Sequence, residues 1–134
     1  MASPTVADFL ARNKASLASY RPRPLVSEMA ALQISQPSTV IVTCSDWRID
    51  PQEAFGLKFG DAAVLRNVCG QVKAALQDIA VLDSFFGHGQ LKQLFIVHHT
   101  DCGGLHFTDA SAHADIASRY VSVTCTHPSP GSVT

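Results

Sequence analysis

Three short, continuous apolar runs are the clearest pattern along the chain, and two of them are followed directly by reactive residues. Residues 39–43 are β-branched throughout, and residues 62–65 and 94–97 are also wholly apolar. Continuous runs of this length are typical of strands that are buried on both faces of a parallel sheet. The pattern therefore predicts three buried parallel strands.

Helical periodicity marks the segments around these strands. Apolar residues at helical spacing predict a first helix that begins with Ser3 as N-cap and Pro4 at its first position, and that runs to about Tyr20. Asp50, followed by a proline, predicts the start of a short helix. A longer pattern predicts a helix over residues 72–86, ended by glycine.

The order of these elements predicts an α/β fold, with helices flanking a sheet whose core is parallel, in a single domain over residues 1–134. Residues 1–24 would form an N-terminal helical arm that ends in alternating arginine and proline. The pattern weakens after Thr108. Residues 110–120 predict one more helix, and residues 121–124 predict a short strand or a frayed tail.

Composition narrows the classes of function. Of the 134 residues, 46% are hydrophobic and 16% are charged, which is typical of a globular domain. The formal net charge of −1 provides no basic excess for nucleic acid or an anionic membrane. No apolar run approaches the ~18 residues that span a bilayer. We therefore expect neither a nucleic-acid nor a membrane partner.

Four cysteines occur in a chain whose first residues lack the pattern of a secretory signal. Reduced thiols in the cytoplasm are therefore expected, rather than disulfides. The basic residues among the first 24 positions leave a mitochondrial transit peptide as an alternative interpretation of the amphipathic arm.

Reactive residues cluster directly after two of the predicted strands. Cys44, Asp46 and Arg48 follow the first strand, and His99 and Cys102 follow the third. Ligands of open parallel sheets bind beyond the carboxyl ends of the strands. Both clusters are therefore expected to face one crevice.

Cys44, His99 and Cys102 form the donor set of a catalytic zinc site, with three protein ligands and a fourth position left for water. Thiolates and imidazole suit zinc better than magnesium or calcium. For any single cysteine the alternative is a small buried hydrophobic residue. His98 would point away from His99 in an extended strand, and we interpret it as a packed core histidine.

Asp46 and Arg48 lie two positions apart, so their side chains would share a face of extended backbone. A bidentate pair would fix the carboxylate, which could then accept a proton from zinc-bound water and orient the hydroxide. A plain structural salt bridge is the alternative interpretation of this pair.

Three motifs share the order and the approximate separation of a known signature: Cys44-x-Asp46-x-Arg48, Arg66-Asn67 and His99-x-x-Cys102-Gly103. Together they resemble the β-class carbonic anhydrases, in the short-chain branch that is also similar to carbonyl sulfide hydrolases. The resemblance covers residues from about 6 to 107. It implies the same three zinc ligands, and the aspartate–arginine pair as a catalytic dyad.

The activity implied by this resemblance is the zinc-dependent, reversible hydration of carbon dioxide to bicarbonate and a proton. Zinc strongly lowers the pKa of bound water, toward ~7. Backbone N–H groups around Gly103 and Gly104 could bind the substrate and stabilise the developing oxyanion. Family members form dimers or higher homo-oligomers, so a homo-oligomer is expected here, with the N-terminal arm packed on the partner subunit.

Other interpretations stay open. Hydrolysis of carbonyl sulfide would use the same zinc site. Residues 108–134 do not resemble the family and indicate a shortened C-terminal end, which would leave a weakly active or non-catalytic zinc-binding protein if it disables the site. A cysteine nucleophile paired with His99 would leave Cys102 without a role. Trp47 and Cys69 stand where the family usually has small residues, and their roles are open.

Overall fold

The computed structural model describes residues 3–119 of the chain, which divides into two compact units, Met1–Ser35 and Gln36–Thr134. The prediction of one domain over residues 1–134 stays a prediction. The helices and strands, in chain order, are α1 (Val6–Ser16), α2 (Val26–Met29), β1 (Thr39–Cys44), α3 (Pro51–Phe55), β2 (Ala63–Asn67), α4 (Val72–Phe86), β3 (Gln93–Val97) and α5 (Asp109–Arg119).

The first unit contains α1 and α2. The predicted cap at Ser3 is wrong, because the N-cap of helix α1 lies two residues later, at Thr5, in a capping box. The Asp8 carboxylate accepts a hydrogen bond from the Thr5 backbone N–H at 2.7 Å, and the Thr5 hydroxyl oxygen accepts one from the Asp8 backbone N–H at 3.3 Å. This reciprocal cap satisfies two backbone donors, which a proline at the first position does not. None of the residues of α1 is buried.

The second unit contains a three-stranded parallel sheet in the order β2-β1-β3. The central strand β1 is buried along its length, with Val40, Ile41, Val42 and Thr43 at most 2% exposed. The buried Thr43 hydroxyl donates to the Val97 carbonyl at 3.0 Å, so its polar atom is satisfied. The predicted α/β fold with a parallel core is confirmed.

Helix α4 covers one face of the sheet. Ala75 is buried against Val40 and Val42, and Ile79 and Leu82 pack at the edge of the same cluster. The helix has the predicted bounds and ends at Gly87, whose φ of 98° suits glycine. These contacts fix the central strand, and with it the position of the residues that follow it.

Strands β2 and β3 lie at the two edges of the sheet, and the predicted burial of both is wrong. No residue of β2 is buried, and β3 is more exposed still. Leu94, Phe95 and Ile96 are 46%, 46% and 44% exposed, and only Val97 of this strand is buried. Phe95 makes a tilted ring contact with Phe55 of α3, with ring centroids 5.2 Å apart. Within residues 3–119 strand β3 has one hydrogen-bonded neighbour, β1, so its other edge is unpaired.

The smaller predicted elements are mostly present. Asp50 caps α3, its side chain accepting from the Gln52 N–H at 2.9 Å, and Pro51 takes the first helical position as expected. Helix α5 corresponds to the pattern over residues 110–120, whereas the predicted strand at residues 121–124 lies outside the described residues. In the part of the chain that the structure describes, no helix has both the length and the apolar character needed to cross a membrane.

Candidate metal centre

The carboxyl ends of β1 and β3 bring the predicted ligands together. Cys44 is the last residue of β1, and His99 follows β3 by two residues. Cys102 immediately precedes a one-turn 3-10 helix, Gly103–His106. Because β1 and β3 are parallel neighbours, both loops leave the same edge of the sheet.

Cys44, His99 and Cys102 each offer a ligand atom, and these atoms lie within 4.8 Å of one another. The two sulfur atoms are 3.8 Å apart. Cys44 is buried, and the other two residues are half-buried. One zinc ion about 2.3 Å from each sulfur and about 2.0 Å from the imidazole nitrogen fits a set of this size.

The imidazole of His99 is oriented for a metal through its Nε2 atom. Its Nδ1 lies 3.0 Å from the Thr100 carbonyl oxygen, and only a protonated nitrogen can donate to that oxygen. In the neutral ring, Nε2 therefore carries the free lone pair. Nε2 is buried and has no hydrogen-bond partner among the described residues. A buried nitrogen left in this state is costly unless it binds a ligand, and metal-bound histidines are usually oriented by such a second hydrogen bond.

The two thiols differ in acidity. Burial raises the pKa of Cys44, but the Asp46 backbone N–H, which donates to its sulfur at 3.4 Å, together with the nearby His99, Cys69 and Cys102, lowers it from 9.0 to about 7. For Cys102 the Gly104 backbone N–H lowers the pKa, but burial and the neighbouring Cys44 outweigh it and raise the pKa above 9.0. Cys44 is therefore the thiol that ionises first.

Asp46 and Arg48 form a bidentate pair beside these ligands. The Arg48 Nε and Nη2 atoms donate to the two Asp46 carboxylate oxygens at 3.0 and 2.7 Å. These bonds hold the pKa of Asp46 well below its usual range and raise that of Arg48. The Asp46 Oδ2 lies 3.8 Å from His99 Nε2, so the ionised carboxylate borders the position that a metal would take.

The backbone of this pair is a turn, and the predicted extended conformation is wrong. The Arg48 backbone N–H also donates to Asp46 Oδ1, at 2.9 Å, and the Ile49 N–H donates to the Asp46 carbonyl at 3.3 Å. The two side chains meet because the turn closes on the aspartate.

Arg66 holds this turn against β2. Its guanidinium donates to the carbonyl oxygens of Cys44, Asp46 and Ile49 at 3.1, 2.7 and 2.8 Å. Sequence reasoning identified Arg66 only as part of a motif. Its role is to satisfy three carbonyls of the loop that carries the first ligand and the carboxylate.

A cavity of about 470 Å³ opens beside the ligands, and both Gly103 and Gly104 line it. A Cβ atom at Gly104 would lie 1.9 Å from the sulfur of Cys69, which adopts a left-handed φ of 66°. The two residues therefore fit together only because position 104 carries no side chain. Cys69 belongs to the wall of the cavity.

His98 and Trp47, two residues next to the predicted site residues, are both exposed. His98 is exposed, so its interpretation as a packed core histidine is wrong: the chain has left β3 before this residue. Trp47 is 88% exposed, on the surface of the turn between Asp46 and Arg48.

Sequence reasoning missed Asp101 and His106. Asp101 contacts Arg48 through both its carbonyl oxygen, at 2.8 Å, and its carboxylate, at 3.5 Å. His106 Nε2 lies 2.9 Å from the other oxygen of that carboxylate. Their spacing matches no helical or strand period, so only the neighbourhood of His99 and Cys102 could have drawn attention to them.

Comparisons with known proteins agree with this geometry. The family model described as carbonic anhydrase matches residues 39–129. The chain is 37% identical over 70 residues to Beta-carbonic anhydrase 1 of Mycobacterium tuberculosis, which is 52% of this chain and 41% of that protein. It is 38% identical over 69 residues to the carbon disulfide hydrolase of Saccharolobus solfataricus, which is 51% of this chain and 32% of that protein.

Among solved structures, the carbonic anhydrase from Streptococcus mutans matches with a TM-score of 0.70 and 26% sequence identity. That match covers 90% of this chain and 68% of the other. The chain spans less than half the length of the two curated relatives named above.

Proposed function

The chain belongs to the β-carbonic anhydrase family, and from this membership we propose that it catalyses the zinc-dependent, reversible hydration of carbon dioxide to bicarbonate and a proton. One observation carries the proposal. Three metal-ligand atoms converge within 4.8 Å, next to a carboxylate that a bidentate arginine keeps ionised. A structural zinc site would have a fourth protein ligand and no need of the carboxylate.

Cys44, His99 and Cys102 would hold the ion. Two thiolates and a neutral imidazole form a borderline-soft donor set that zinc accepts and that magnesium and calcium do not. The unpartnered Nε2 of His99 and the lowered pKa of Cys44 fit this use. Bound zinc supplies Lewis acidity, which makes water a strong nucleophile near neutral pH.

Asp46 is the group that would handle the proton of the attacking water. An ionised carboxylate only accepts hydrogen bonds, so Asp46 can accept one from the O–H of the attacking water. This hydrogen bond would orient the water oxygen toward the substrate carbon. Arg48 keeps Asp46 ionised and fixes the direction of its two oxygens. The pair thus acts as one unit, with Asp46 in contact with the reacting atoms.

Gly103 and Gly104 are the proposed substrate-binding positions. Both line the cavity, and a linear molecule could approach the backbone of Gly103 closely, because no atom lies within 4 Å of where its side chain would begin. At Gly104 the corresponding space is filled by the Cys69 sulfur. The Leu105 N–H donates to the Cys102 carbonyl at 2.9 Å, which ties this backbone segment to the ligand set.

Stopped-flow hydration of carbon dioxide tests the proposal. We expect the zinc-loaded protein to accelerate hydration and His99→Ala to abolish the acceleration, because the substitution removes one of three ligands. His98→Ala is the matched control: it removes an exposed neighbouring imidazole and should retain the rate. Loss of activity in both variants, or in neither, would contradict the assignment of His99.

Hydrolysis of a sulfur-containing analogue is the second candidate. It is favoured by the relative named carbon disulfide hydrolase, which is 38% identical to this chain, against 37% for the carbonic anhydrase. Carbonyl sulfide and carbon disulfide are linear like carbon dioxide, and the same residues would serve. Assays of sulfide release from both compounds, beside carbon dioxide hydration, decide between these substrates.

The remaining proposals concern the state of the protein. We propose a homo-oligomer, which light scattering of the purified chain tests, whereas the cytoplasmic location and the packing of the N-terminal arm on a partner stay predictions. A non-catalytic zinc-binding protein would retain the metal but show no hydration above the rate of the His99→Ala variant.

A further inference from the structure

We propose that Asp101 and His106 are positioning residues that form a second anchor for Arg48, and through it for the carboxylate of Asp46. The inference rests on the proposed function only for its kinetic consequence. The anchor itself is a set of contacts among residues of this chain.

The guanidinium of Arg48 joins the two loops of the site. Its Nη2 atom donates both to Asp46 Oδ2, at 2.7 Å, and to the Asp101 carbonyl oxygen, at 2.8 Å. Its Nη1 atom lies 3.5 Å from Asp101 Oδ2. Asp46 belongs to the loop after β1 and Asp101 to the loop after β3, so one planar group spans both ends. A guanidinium held on two sides keeps its orientation better than one held by a single carboxylate.

Asp101 is itself held in place. Its φ of 52° lies in the left-handed region, which non-glycine residues rarely adopt and which aspartate tolerates better than most. Such a conformation persists only where the surroundings enforce it, and it is concentrated at functional sites. Arg48 contacts this residue through the carbonyl and one carboxylate oxygen, and the remaining oxygen is left for another partner.

His106 is that partner. Its Nε2 donates to Asp101 Oδ1 at 2.9 Å, since a carboxylate oxygen can only accept. His106 ends the 3-10 turn that begins directly after Cys102, and the Leu105 N–H closes this turn on the Cys102 carbonyl at 2.9 Å. The chain of contacts therefore runs from the turn after the second cysteine, through Asp101, to Arg48.

The kinetic effect should be modest, because the anchor is exposed. The side chains of Asp101 and His106 are 70% and 67% accessible, and exposed ion pairs contribute little energy. We expect His106→Ala to lower kcat/KM about two- to fivefold, which corresponds to the range of exposed pairs. His106→Gln, which keeps a neutral N–H donor, should recover most of the loss. His88→Ala removes another exposed histidine near an aspartate, Asp83 at 3.8 Å, and should change nothing.

A measurement on the Arg48 side chain separates the anchor from the activity. The hydrogen-exchange rate of the Arg48 Nε–H, followed by NMR on the zinc-loaded protein, should be slow in the wild type and in His106→Gln. It should be faster in His106→Ala and in Asp101→Asn, which retains the backbone but loses the charge. Unchanged exchange in both of these variants would overturn the inference. An inactive protein with the predicted exchange pattern would instead overturn the proposed function and leave the anchor standing.

Discussion

Strands β1 and β3 have nearly the same sequence character, but their surroundings differ, and each carries one half of the candidate metal centre. Ile41 in β1 is 2% exposed, whereas Ile96 in β3 is 44% exposed. Strand β1 ends with Cys44 and is followed by a loop that carries the Asp46 carboxylate, whereas the loop after β3 provides His99 and Cys102. The first half is thus built on the buried core and the second on a half-covered edge.

The difference shows that the two halves of the site are held in place by different interactions. The half at the end of β1 is supported by the buried side chains of that strand and by Arg66. The Arg66 guanidinium donates to the carbonyls of Cys44, Asp46 and Ile49. The half after β3 depends on short-range contacts within its own loop, such as the bond between His99 and the Thr100 carbonyl. Arg48 connects the two halves through Asp101.

The largest difference between the strands should be in stability. Ile41→Ala leaves a cavity between buried side chains and should lower the free energy of unfolding by about 3–4 kcal/mol. The same change at Ile96 removes a half-exposed side chain and should cost only about 1–2 kcal/mol. Urea unfolding of both variants measures this. Equal losses would mean that β3 is as well covered in solution as β1.

The two loops should differ in the effect of losing a carboxylate. Asp46→Asn removes the ionised carboxylate proposed to accept a hydrogen bond from the attacking water, and it should lower kcat/KM about 100-fold or more, with the zinc content unchanged. Asp101→Asn affects only the anchor of Arg48 and should lower kcat/KM about two- to fivefold. Hydration kinetics and metal analysis of both variants test this. Similar losses in the two variants would contradict the division between a catalytic and a positioning residue.

Two glycines with positive φ should differ in how strongly they tolerate a side chain, because only one of them lies against the end of β1. Gly70 has a φ of +62°, and a Cβ there would lie 3.0 Å from backbone atoms of Thr43 and Cys44. Gly70→Ala should therefore cost about 2–3 kcal/mol of stability and weaken zinc binding. Gly56 is the matched control, with a φ of +58° and no atom within 4 Å of a Cβ, and its change to alanine should cost only about 1 kcal/mol. If the two variants unfold alike, the close approach to β1 is not constraining.

The smallest expected effect is a difference in acidity between the thiols of the two halves. In chelator-treated protein, thiolate absorbance should rise near pH 7 in the wild type, and this step should be missing in Cys44→Ala. Because the folded-state pKa of about 7 is below the ordinary 9.0, the ionised Cys44 stabilises the fold fully above pH 9, and this contribution is lost as pH falls through about 7. A thiolate step only at higher pH would contradict the hydrogen bonds assigned to Cys44.

Much of the fold followed from the sequence because its strands are continuous apolar runs and its longest helix has a clear period and a glycine stop. The pattern could not distinguish the central strand from the two edge strands, because the apolar runs of β2 and β3 resemble that of β1 and burial depends on neighbours. The cap of α1 was misplaced because Ser3-Pro4 and Thr5 with Asp8 are competing start signals, and the reciprocal cap is the stronger one.

The donor set of the metal centre was predictable because residue type and position after a strand are both visible in the sequence. The residues that hold Arg48 in place were not predictable from the sequence. The contacts of Arg48 with Asp101, and of Asp101 with His106, depend on a left-handed residue and a one-turn helix. Neither feature has a periodic signature, so these partners emerge only from coordinates.

X-ray absorption at the zinc edge, on protein purified without added metal, tests the central claim most directly. The geometry predicts about one zinc ion per chain, coordinated by two sulfur atoms, one imidazole and one further light atom. One sulfur should disappear from the spectrum of Cys44→Ser. Absence of bound metal, or a zinc environment that retains both sulfurs in that variant, would contradict a site formed by Cys44, His99 and Cys102.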